Sequence, residues 1–267
     1  MSLSLTILGC GSSGGVPRIG NNWGACDPDE PRNRRLRCSL LVEQFGQNGT
    51  TRLLIDTAPD LREQLLASGV GALDGVLWTH EHADHTHGID ELRVVAINMK
   101  QRVAAFADDA TAAMLRARFG YCFAAPPGSD YPPIVTLGRL AAGQPIAIEG
   151  KGGPIEAVPF TVRHGTMEAL GFRIGDVAYT PDISGLADAS QRWLAGLDLW
   201  IVDALRYTPH PSHFTVAEAL SWIERLKPRR AILTNMHVDL DYATLRRELP
   251  NGVEPAHDGL KIELEDH

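Results

Sequence analysis

A segment with four potential metal ligands in six residues constrains the fold of this chain more than any other feature. The segment is Thr79-His80-Glu81-His82-Ala83-Asp84-His85. The apolar residues 75–78 before it predict a buried strand, and residues 88–95 after it predict a helix. Alternate residues of an extended segment share a side, whereas neighbours face opposite sides. The pattern therefore pairs His80 with His82 and Asp84 with His85, and it predicts two adjacent metal ions.

The composition is that of an ordinary globular protein. The 267 residues can bury a large core, and we expect one domain over residues 1–267. A net charge of −8, from 25 Lys and Arg against 33 Asp and Glu, gives no bulk attraction to nucleic acid or to an anionic membrane. The chain shows no signal-peptide pattern, no apolar run of membrane length and no CxxC pair. We expect a cytoplasmic protein without a membrane partner, and a homodimer remains open.

A glycine-rich loop, Gly9-Cys10-Gly11-Ser12-Ser13-Gly14-Gly15-Val16-Pro17, follows the first predicted strand, residues 3–8. It also fits the GxGxxG dinucleotide fingerprint, but Pro17 and the sequence Gly-Asn-Asn stand where that fingerprint requires an apolar helix. We favour a loop that lines a polar cleft, with Ser12 and Ser13 as substrate-binding candidates.

Arg34 and Arg35 are the other substrate-binding candidates. They belong to the arginine-rich run 32–37. Guanidinium groups bind phosphate through paired hydrogen bonds, although such a run can equally be a solvated edge.

Hydrophobic periodicity and turn residues predict alternating strands and helices. The predicted helices are 60–68, 88–95, 109–119 and 216–226. The predicted strands after the first are 38–43, 53–56, 75–78, 103–106, 134–137, 146–148, 155–162, 172–174, 177–180, 199–202 and 231–234. The Pro- and Gly-rich residues 124–133 predict a loop that can cover the cleft.

Further potential ligands follow the later strands. His164 ends one strand at a glycine turn, and Asp182 and His237 each follow another. Asp182 can either cap the next turn or bridge two cations. Strand ends of this kind place the side chains along one edge of a sheet scaffold. His87, His210, His257 and His267 have no comparable placement.

His213 precedes the helix 216–226, and Asp203 ends the strand before it. A histidine in this position is commonly a cap or a surface residue. Beside a dinuclear metal site it can instead donate a proton to a leaving oxygen.

The motif HEHADH, His164 after a strand, Asp182 in YTPD and His237 after ILTNM resemble the metallo-beta-lactamase superfamily. The resemblance covers essentially the whole chain, and it implies an α/β fold, a four-layer αββα sandwich that binds two divalent metal ions at one sheet edge. It also implies a division of the ligands. One ion is held by His80, His82 and His164, the other by Asp84, His85 and His237, and Asp182 bridges them.

The segments GCGSSGGVP and DPDEPRNRRLRCS, together with Asp203 and the run His213-Phe214-Thr215, resemble the phosphodiesterase branch. Within it the resemblance is to the cyclic phosphodiesterases of the carbon-phosphorus lyase pathway and, more distantly, to ribonuclease Z. It implies that His213 acts near the leaving group with support from Asp203, and we count Asp84 as a third catalytic residue. It further implies small, cyclic substrates such as ribose cyclic phosphate or cyclic nucleotides.

The sequence departs from that branch at two places. Asn21 and Trp23 stand where a cysteine cluster is usual, which leaves only Cys26, and we expect no structural zinc. His237 lies in TNMHVD instead of the more usual THxxH.

The expected chemistry follows from the two ions, for which zinc and manganese both suit the N and O ligands. They lower the pKa of a bridging water, and the resulting hydroxide attacks phosphorus in line while His213 protonates the departing alkoxide. Hydrolysis of a thioester, lactone or lactam is an alternative, but the Gly-Ser loop and the arginine run suit phosphate better. A tRNA-processing endonuclease is a third alternative, disfavoured by the acidic balance and by the lack of a long basic arm.

Overall fold

The computed structural model describes residues 2–265, so His267 lies outside the described residues. Two seven-stranded mixed sheets form its centre. The strands, in chain order, are β1 (Ser2–Gly9), β2 (Ser39–Gly46), β3 (Gly49–Ile55), β4 (Gly75–Leu77), β5 (Val103–Ala107), β6 (Val135–Arg139), β7 (Ile146–Ile148), β8 (Ile155–His164), β9 (Met167–Ile174), β10 (Val177–Thr180), β11 (Leu199–Asp203), β12 (Arg230–Thr234), β13 (Val253–Pro255) and β14 (Leu260–Glu265). The strand order is β14-β1-β2-β3-β4-β5-β6 in the first sheet and β13-β12-β11-β10-β9-β8-β7 in the second.

Helices connect the strands of both sheets. The α-helices are α1 (Leu61–Ser68), α2 (Ala83–Thr86), α3 (Leu92–Met99), α4 (Asp109–Phe123), α5 (Asp188–Gln191), α6 (Val216–Leu226) and α7 (Tyr242–Glu248). Short 3-10 helices span Pro31–Asn33, Ile89–Glu91 and Arg192–Leu194. Among the described residues, none of the helices combines the length and the apolar character needed to cross a bilayer.

The side-chain alternation of β3 explains the layers. Leu53 and Ile55 are fully buried in a core shared with strands of the second sheet, whereas Leu54 faces a separate core with α1, α3 and α4. Successive side chains of a strand point to opposite faces, so one strand serves both cores. Helices α6 and α7 pack against the second sheet through Ala219 and Leu245. The protein is thus an α/β sandwich of two sheets with helices on the outside, the αββα arrangement that the sequence predicted.

Strand direction brings several strand ends to one edge. β10, β11 and β12 run parallel to one another, so their carboxyl ends lie side by side. β9 is antiparallel to both β8 and β10, and β8 therefore ends at the same edge. In the first sheet β4 runs parallel to β3 and β5 and ends just before the HEHADH segment.

The glycine-rich loop after β1 is not followed by an α-helix, and the next helical turn begins only at Pro31. This excludes the dinucleotide-binding interpretation of GxGxxG. The loop instead lies against the second sheet, because the N–H of Ser12 donates to the carbonyl of Met236 at 3.2 Å and that of Met236 donates to the carbonyl of Cys10 at 2.8 Å.

Most predicted elements are present, with shifted ends. The predicted helix 88–95 begins as a 3-10 turn and continues to Met99, and the predicted helix 109–119 continues to Phe123 past non-helical backbone at Phe119. Helix α7 and the strands β13 and β14 had not been predicted. Residues 124–133 form a loop, but none of them lines the cleft described below, so the prediction that this loop covers the cleft is wrong.

Candidate metal centre and active-site cleft

A buried carboxylate fixes the HEHADH segment on the end of the first sheet. Asp56, directly after β3, accepts hydrogen bonds from the backbone N–H and the hydroxyl of Thr79, each at 2.8 Å. It also accepts the Nδ1–H of His85 at 2.7 Å. Because Nδ1 faces Asp56, the other ring nitrogen of His85, Nε2, is directed at the centre and lies 3.1 Å from Asp182 Oδ1. Sequence reasoning had missed Asp56, although it ends a buried strand just as Asp203 does.

Similar contacts orient two further histidines. The Thr79 hydroxyl donates to Asp56 and therefore accepts from His80 Nδ1 at 2.9 Å. His164 Nδ1 donates to the carbonyl of Ser212 at 2.7 Å. Both rings thus direct an unprotonated Nε2 toward Asp182 Oδ2, at 3.7 Å from His80 and 3.6 Å from His164.

Four side chains converge on a space that suits a metal ion. The ligand atoms of His80, His82, His164 and Asp182 all lie within 4.8 Å of one another. Nε2 of His80 is buried without a hydrogen-bond partner, and Asp182 Oδ2 lies 3.7 Å from it. Leaving such nitrogens unpaired costs free energy, which a cation among them would offset. Three imidazoles and a carboxylate are also the ligand types of zinc and related ions, so the residues fit a divalent metal.

Asp182 joins this group to a second pair of ligands. His85 Nε2 lies 3.6 Å from Asp84 Oδ2, and the same nitrogen contacts Asp182. Burial alone would raise the pKa of Asp182, but the imidazoles around it, His85 first, hold that pKa well below its usual range. Burial and the neighbouring His85 keep the pKa of His80 well below its usual value. The centre therefore contains an ionised carboxylate and a neutral imidazole, the forms that bind metals.

His213 and Asp203 form a dyad at the same edge. Asp203 Oδ2, at the end of β11, accepts His213 Nδ1–H at 2.8 Å and the N–H of Ile183 at 3.0 Å. Burial raises the pKa of Asp203 to about 7. Burial alone would lower the pKa of His213, but the charge of Asp203 and its hydrogen bond outweigh burial and raise that pKa to about 9. The other nitrogen, His213 Nε2, lies 3.9 Å from Asp182 Oδ2 and can present a proton to the cleft.

The structure places His237 in the lining of the same cleft as the ligands but outside the group of four whose ligand atoms lie within 4.8 Å of one another, so its role as a ligand stays a prediction. His237 Nε2 contacts the guanidinium of Arg18, and its Nδ1 lies 3.0 Å from Asp239 Oδ2. Asn235, the first residue after β12, lies against the centre instead and donates from Nδ2 to Asp182 Oδ1 at 3.1 Å. The chain leaves β12 through a left-handed residue, Asn235, with φ of 59°. This turn directs the residues that follow toward the N-terminal loop.

The predicted substrate-binding residues divide into two groups. Ser12 and Ser13 line the cleft as expected, whereas Arg34 and Arg35 do not. Arg35 is buried and donates to the carbonyls of Leu240 at 2.6 Å and His237 at 3.2 Å. The Arg34 guanidinium lies 5.5 Å from the centre of the Trp23 ring.

Two arginines that sequence reasoning had missed, Arg18 and Arg206, line the cleft together with the metal ligands. Arg18 directly follows the glycine-rich loop and Pro17, which was the available signal for it. Arg206 follows β11 and donates to the carbonyls of Thr208 at 3.1 Å and Pro209 at 2.7 Å. The cleft has a volume of about 290 Å³ and combines these cations with His82, His164 and His213.

Comparison with known proteins identifies the family. The model of the beta-lactamase superfamily domain matches residues 51–236, which include all the ligands described above. The chain belongs to the beta-lactamase superfamily. A solved diphosphatase of the PhnP family is 37% identical, with a TM-score of 0.88 over 99% of this chain and 98% of that one. The fold, the family and the group of His and Asp side chains together fit a site for a divalent metal.

Two curated relatives also match this superfamily member. An octanoyltransferase of Porphyromonas gingivalis (strain ATCC BAA-308 / W83) is 30% identical over 97% of this chain and 51% of its own length. The present chain thus spans about half of that protein. A ribonuclease Z of Bradyrhizobium sp. (strain ORS 278) is 44% identical over 64 residues, which are 23% of this chain and 20% of that protein.

Proposed function

We propose that this protein is a dinuclear metal-dependent phosphodiesterase that hydrolyses small phosphodiesters, including cyclic ribose phosphates and cyclic nucleotides. The observation that carries the proposal is that one cleft combines the ligand group, the His213–Asp203 dyad and the guanidinium groups of Arg18 and Arg206. A phosphodiester has anionic oxygens that need cations and a leaving oxygen that needs a proton. A neutral thioester or lactone carries no anionic oxygen with which the two arginines could pair.

The metal ions would be held by residues of this chain in two groups. His80, His82 and His164 with Asp182 would hold one ion, and Asp84 and His85 would hold the other, with Asp182 shared. Bound divalent cations offset charge on phosphate oxygens and lower the pKa of water toward neutrality, and zinc and manganese both suit these ligands.

The other residues of the cleft bind the substrate and supply the proton. Arg18 and Arg206 pair with phosphate oxygens, and Ser12 and Ser13 donate hydrogen bonds to them. In the reaction, the bond between phosphorus and the leaving oxygen breaks, water supplies the new oxygen on phosphorus, and His213 Nε2 gives its proton to the leaving oxygen. Asp203 keeps the ring in place and stabilises its protonated form.

A diphosphate is a second candidate substrate class. The 37% identical solved relative is a diphosphatase, and two arginines in one cleft can pair with two phosphate groups. The cleft volume of about 290 Å³ favours a small molecule over a folded tRNA. The proposal further includes a cytoplasmic location, a single domain over the chain, and no membrane or nucleic-acid partner, with a homodimer left open.

A substrate panel tests this proposal. Metal-loaded protein is assayed with an aryl phosphodiester, a 2′,3′-cyclic nucleotide, a dinucleoside diphosphate, a lactone, a thioester and a precursor tRNA. We expect the highest kcat/KM for a small phosphodiester. Preferred cleavage of the lactone, the thioester or the tRNA would reject the proposal.

The variant His213→Ala tests the role of the dyad on the same panel. We expect a loss of about 10²-fold or more in kcat for an alkoxide leaving group, since general acid catalysis contributes about 10²–10⁴-fold. The loss should be much smaller for p-nitrophenolate, which leaves without a proton. His257→Ala, which changes a histidine outside the cleft, is the matched control. Equal losses for both leaving groups would contradict the acid role.

A further inference from the structure

We propose that His210 is a specificity-determining residue, which binds the leaving group of the substrate by donating a hydrogen bond from Nε2 to an oxygen beside the departing one. The inference deepens the proposed function and rests on it, because it takes His213 as the proton donor. The accepting oxygen can belong to a neutral group, such as a sugar oxygen, or to a second phosphate group. Sequence reasoning had set His210 aside, since it does not follow a strand.

His210 lies in the cleft beside the proton donor. It lines the cleft together with His164 and His213. The centre of its ring lies 5.0 Å from that of His213. The departing oxygen must approach His213 to receive its proton, so the group attached to that oxygen lies within reach of the neighbouring ring of His210.

The backbone determines which nitrogen of His210 carries the proton. The N–H of Ser212 donates to His210 Nδ1 at 3.3 Å, and the hydroxyl of Ser212 lies 3.2 Å from the same nitrogen. A backbone N–H is always a donor, so Nδ1 is the acceptor and the neutral ring carries its proton on Nε2. Burial, and after it the charge of His213, lowers the pKa of His210, so the ring is neutral at pH 7. His210 therefore offers a substrate one donor, Nε2–H.

The loop that carries His210 is held in place on both sides of this residue. A proline stands on each side of His210 and restricts the backbone. Arg206 donates at 2.7 Å to the carbonyl of the residue before His210. The carbonyl of Ser212 accepts from Nδ1 of the candidate metal ligand His164 at 2.7 Å. A donor fixed in this way loses little conformational entropy when it binds a ligand.

Two aryl esters of thymidine 5′-phosphate that differ by one oxygen test the inference. Their leaving groups, phenol and 2-methoxyphenol, have nearly equal basicity, and only the second carries an accepting oxygen beside the departing one. The variant His210→Phe keeps an aromatic ring but loses the donor. Relative to the phenyl ester, kcat/KM of this variant should fall about 5-fold for the methoxyphenyl ester, the usual effect of one hydrogen bond to a neutral acceptor. For a dinucleoside diphosphate, whose acceptor is charged, we expect a relative loss of about 10-fold or more.

The three substrates distinguish the two sources of the accepting oxygen. A loss for the methoxyphenyl ester assigns the donor to a neutral oxygen, and a loss confined to the dinucleoside diphosphate assigns it to a phosphate oxygen. An equal effect of His210→Phe on all three substrates, or no effect, would overturn the inference. The variant His210→Gln returns a side-chain N–H donor and should recover most of the loss.

The variant Tyr207→Phe is the matched control for a disturbed loop. Tyr207 lies on the same loop, and its hydroxyl donates to Glu248 at 2.6 Å, outside the cleft. Its removal should leave the ratios between the three substrates unchanged. The same change of ratios in Tyr207→Phe and in His210→Phe would contradict a specific role of the His210 ring.

Nitrogen NMR of the native protein provides a readout that needs no turnover, with His210→Phe to assign the signals. We expect the neutral Nε2–H tautomer for His210, and a shift of its Nε2 signal that is larger with the methoxyphenyl ester or the dinucleoside diphosphate than with the phenyl ester. A proton on Nδ1 would overturn the inference. A native protein that cleaves none of the three substrates would instead reject the phosphodiesterase proposal, so the two failures are distinguishable.

Discussion

At the scale of single residues, a carboxylate at the end of a buried strand orients a histidine in each sheet. Asp56 follows β3 and holds His85, and Asp203 ends β11 and holds His213. In both cases the carboxylate accepts Nδ1–H and leaves Nε2 directed at the centre. Under the proposed function, the same arrangement orients a metal ligand in the first sheet and a proton donor in the second.

Asp56→Asn should weaken metal binding about 10- to 100-fold, since carboxylates that support a ligating histidine contribute on this order. The amide cannot accept hydrogen bonds from Thr79 and His85 with both of its terminal atoms. Metal affinity is measured by competition with a chelator of known affinity. The control is Asp74→Asn. This carboxylate accepts a hydrogen bond from the backbone N–H of Arg52 and does not contact the metal ligands described above. Equal affinities for the two variants would contradict the supporting role of Asp56.

In the variant Asp203→Asn, activity should begin to fall with rising pH at a lower pH than in the native protein. The negative charge of Asp203 raises the pKa of His213, so removing that charge lowers the pH above which the ring has lost the proton it donates. The measurement is kcat against pH for an alkoxide leaving group, in the native protein and the variant. Superimposable profiles would show that the dyad does not control this step.

The ligand residues were predictable because their types are distinctive and each follows a strand. Which residue after β12 faces the centre was not predictable, since it depends on the left-handed backbone of Asn235. The sequence also did not indicate that Arg18 lines the cleft whereas Arg35 is buried. The guanidinium of Arg35 donates to carbonyl groups more than 200 positions away along the chain. No local sequence pattern indicates such contacts.

At the scale of elements, side-chain caps fix where the helices begin. Thr215 and Glu218 form a capping box at the start of α6, and Asp241 caps α7 by accepting from the N–H of Thr244 at 2.9 Å. Asp241 also accepts from the N–H of Asp27 at 3.1 Å and from Asn33 Nδ2 at 2.7 Å. It thus ties the N-terminal loop to a helix near the other end of the chain.

Asp241→Ala should lower the free energy of unfolding by about 1–2 kcal/mol at pH 7, the usual effect of a lost N-cap. Burial alone would raise the pKa of Asp241, but hydrogen bonds from Asp27, Thr244 and Asn33 lower it from 3.8 to about 2. A lowered folded-state pKa means that the stabilisation is complete above the unfolded value and is lost as the pH falls through about 2. The destabilisation measured by urea unfolding should therefore be smaller at pH 3 than at pH 7.

Thr215→Ala is the control for this pH effect, because it removes a cap that does not itself titrate. Its destabilisation should change less between the two pH values than that of Asp241→Ala. Parallel changes in both variants would argue against the role assigned to the Asp241 carboxylate.

The amphipathic and buried elements of the fold were the predictable ones, and the short connecting elements were not. Helix α6 was predicted with its observed limits, since Val216 and Ala219 lie on its buried face. β13 has only three residues and ends in Pro255, so no periodicity could develop in it. β14 alternates Leu260 and Ile262 with charged residues, a strand signal that had been available in the sequence.

At the scale of the whole molecule, the metal centre joins the two sheets. His80 and His85 follow a strand of the first sheet, whereas His164 ends one strand of the second sheet and Asp182 follows another. Ions bound between them would add connections across the sandwich, and metal binding to the native state alone stabilises it.

Chelation should therefore lower the thermal stability of the protein. At a metal concentration about 1,000-fold above Kd the stabilisation is about 4 kcal/mol. This corresponds to roughly 10 °C in Tm for a chain of this size. The measurement is Tm by calorimetry with and without chelator, and a chelator already saturated with metal is the control. An unchanged Tm would contradict the linkage between metal and fold.

Anomalous diffraction from crystals of the metal-loaded protein, recorded at the zinc and manganese absorption edges, tests the central claim most directly. The account predicts one metal peak enclosed by the side chains of His80, His82, His164 and Asp182, and a second peak beside Asp84, His85 and Asp182. A peak elsewhere on the protein, or none between these side chains, would contradict it.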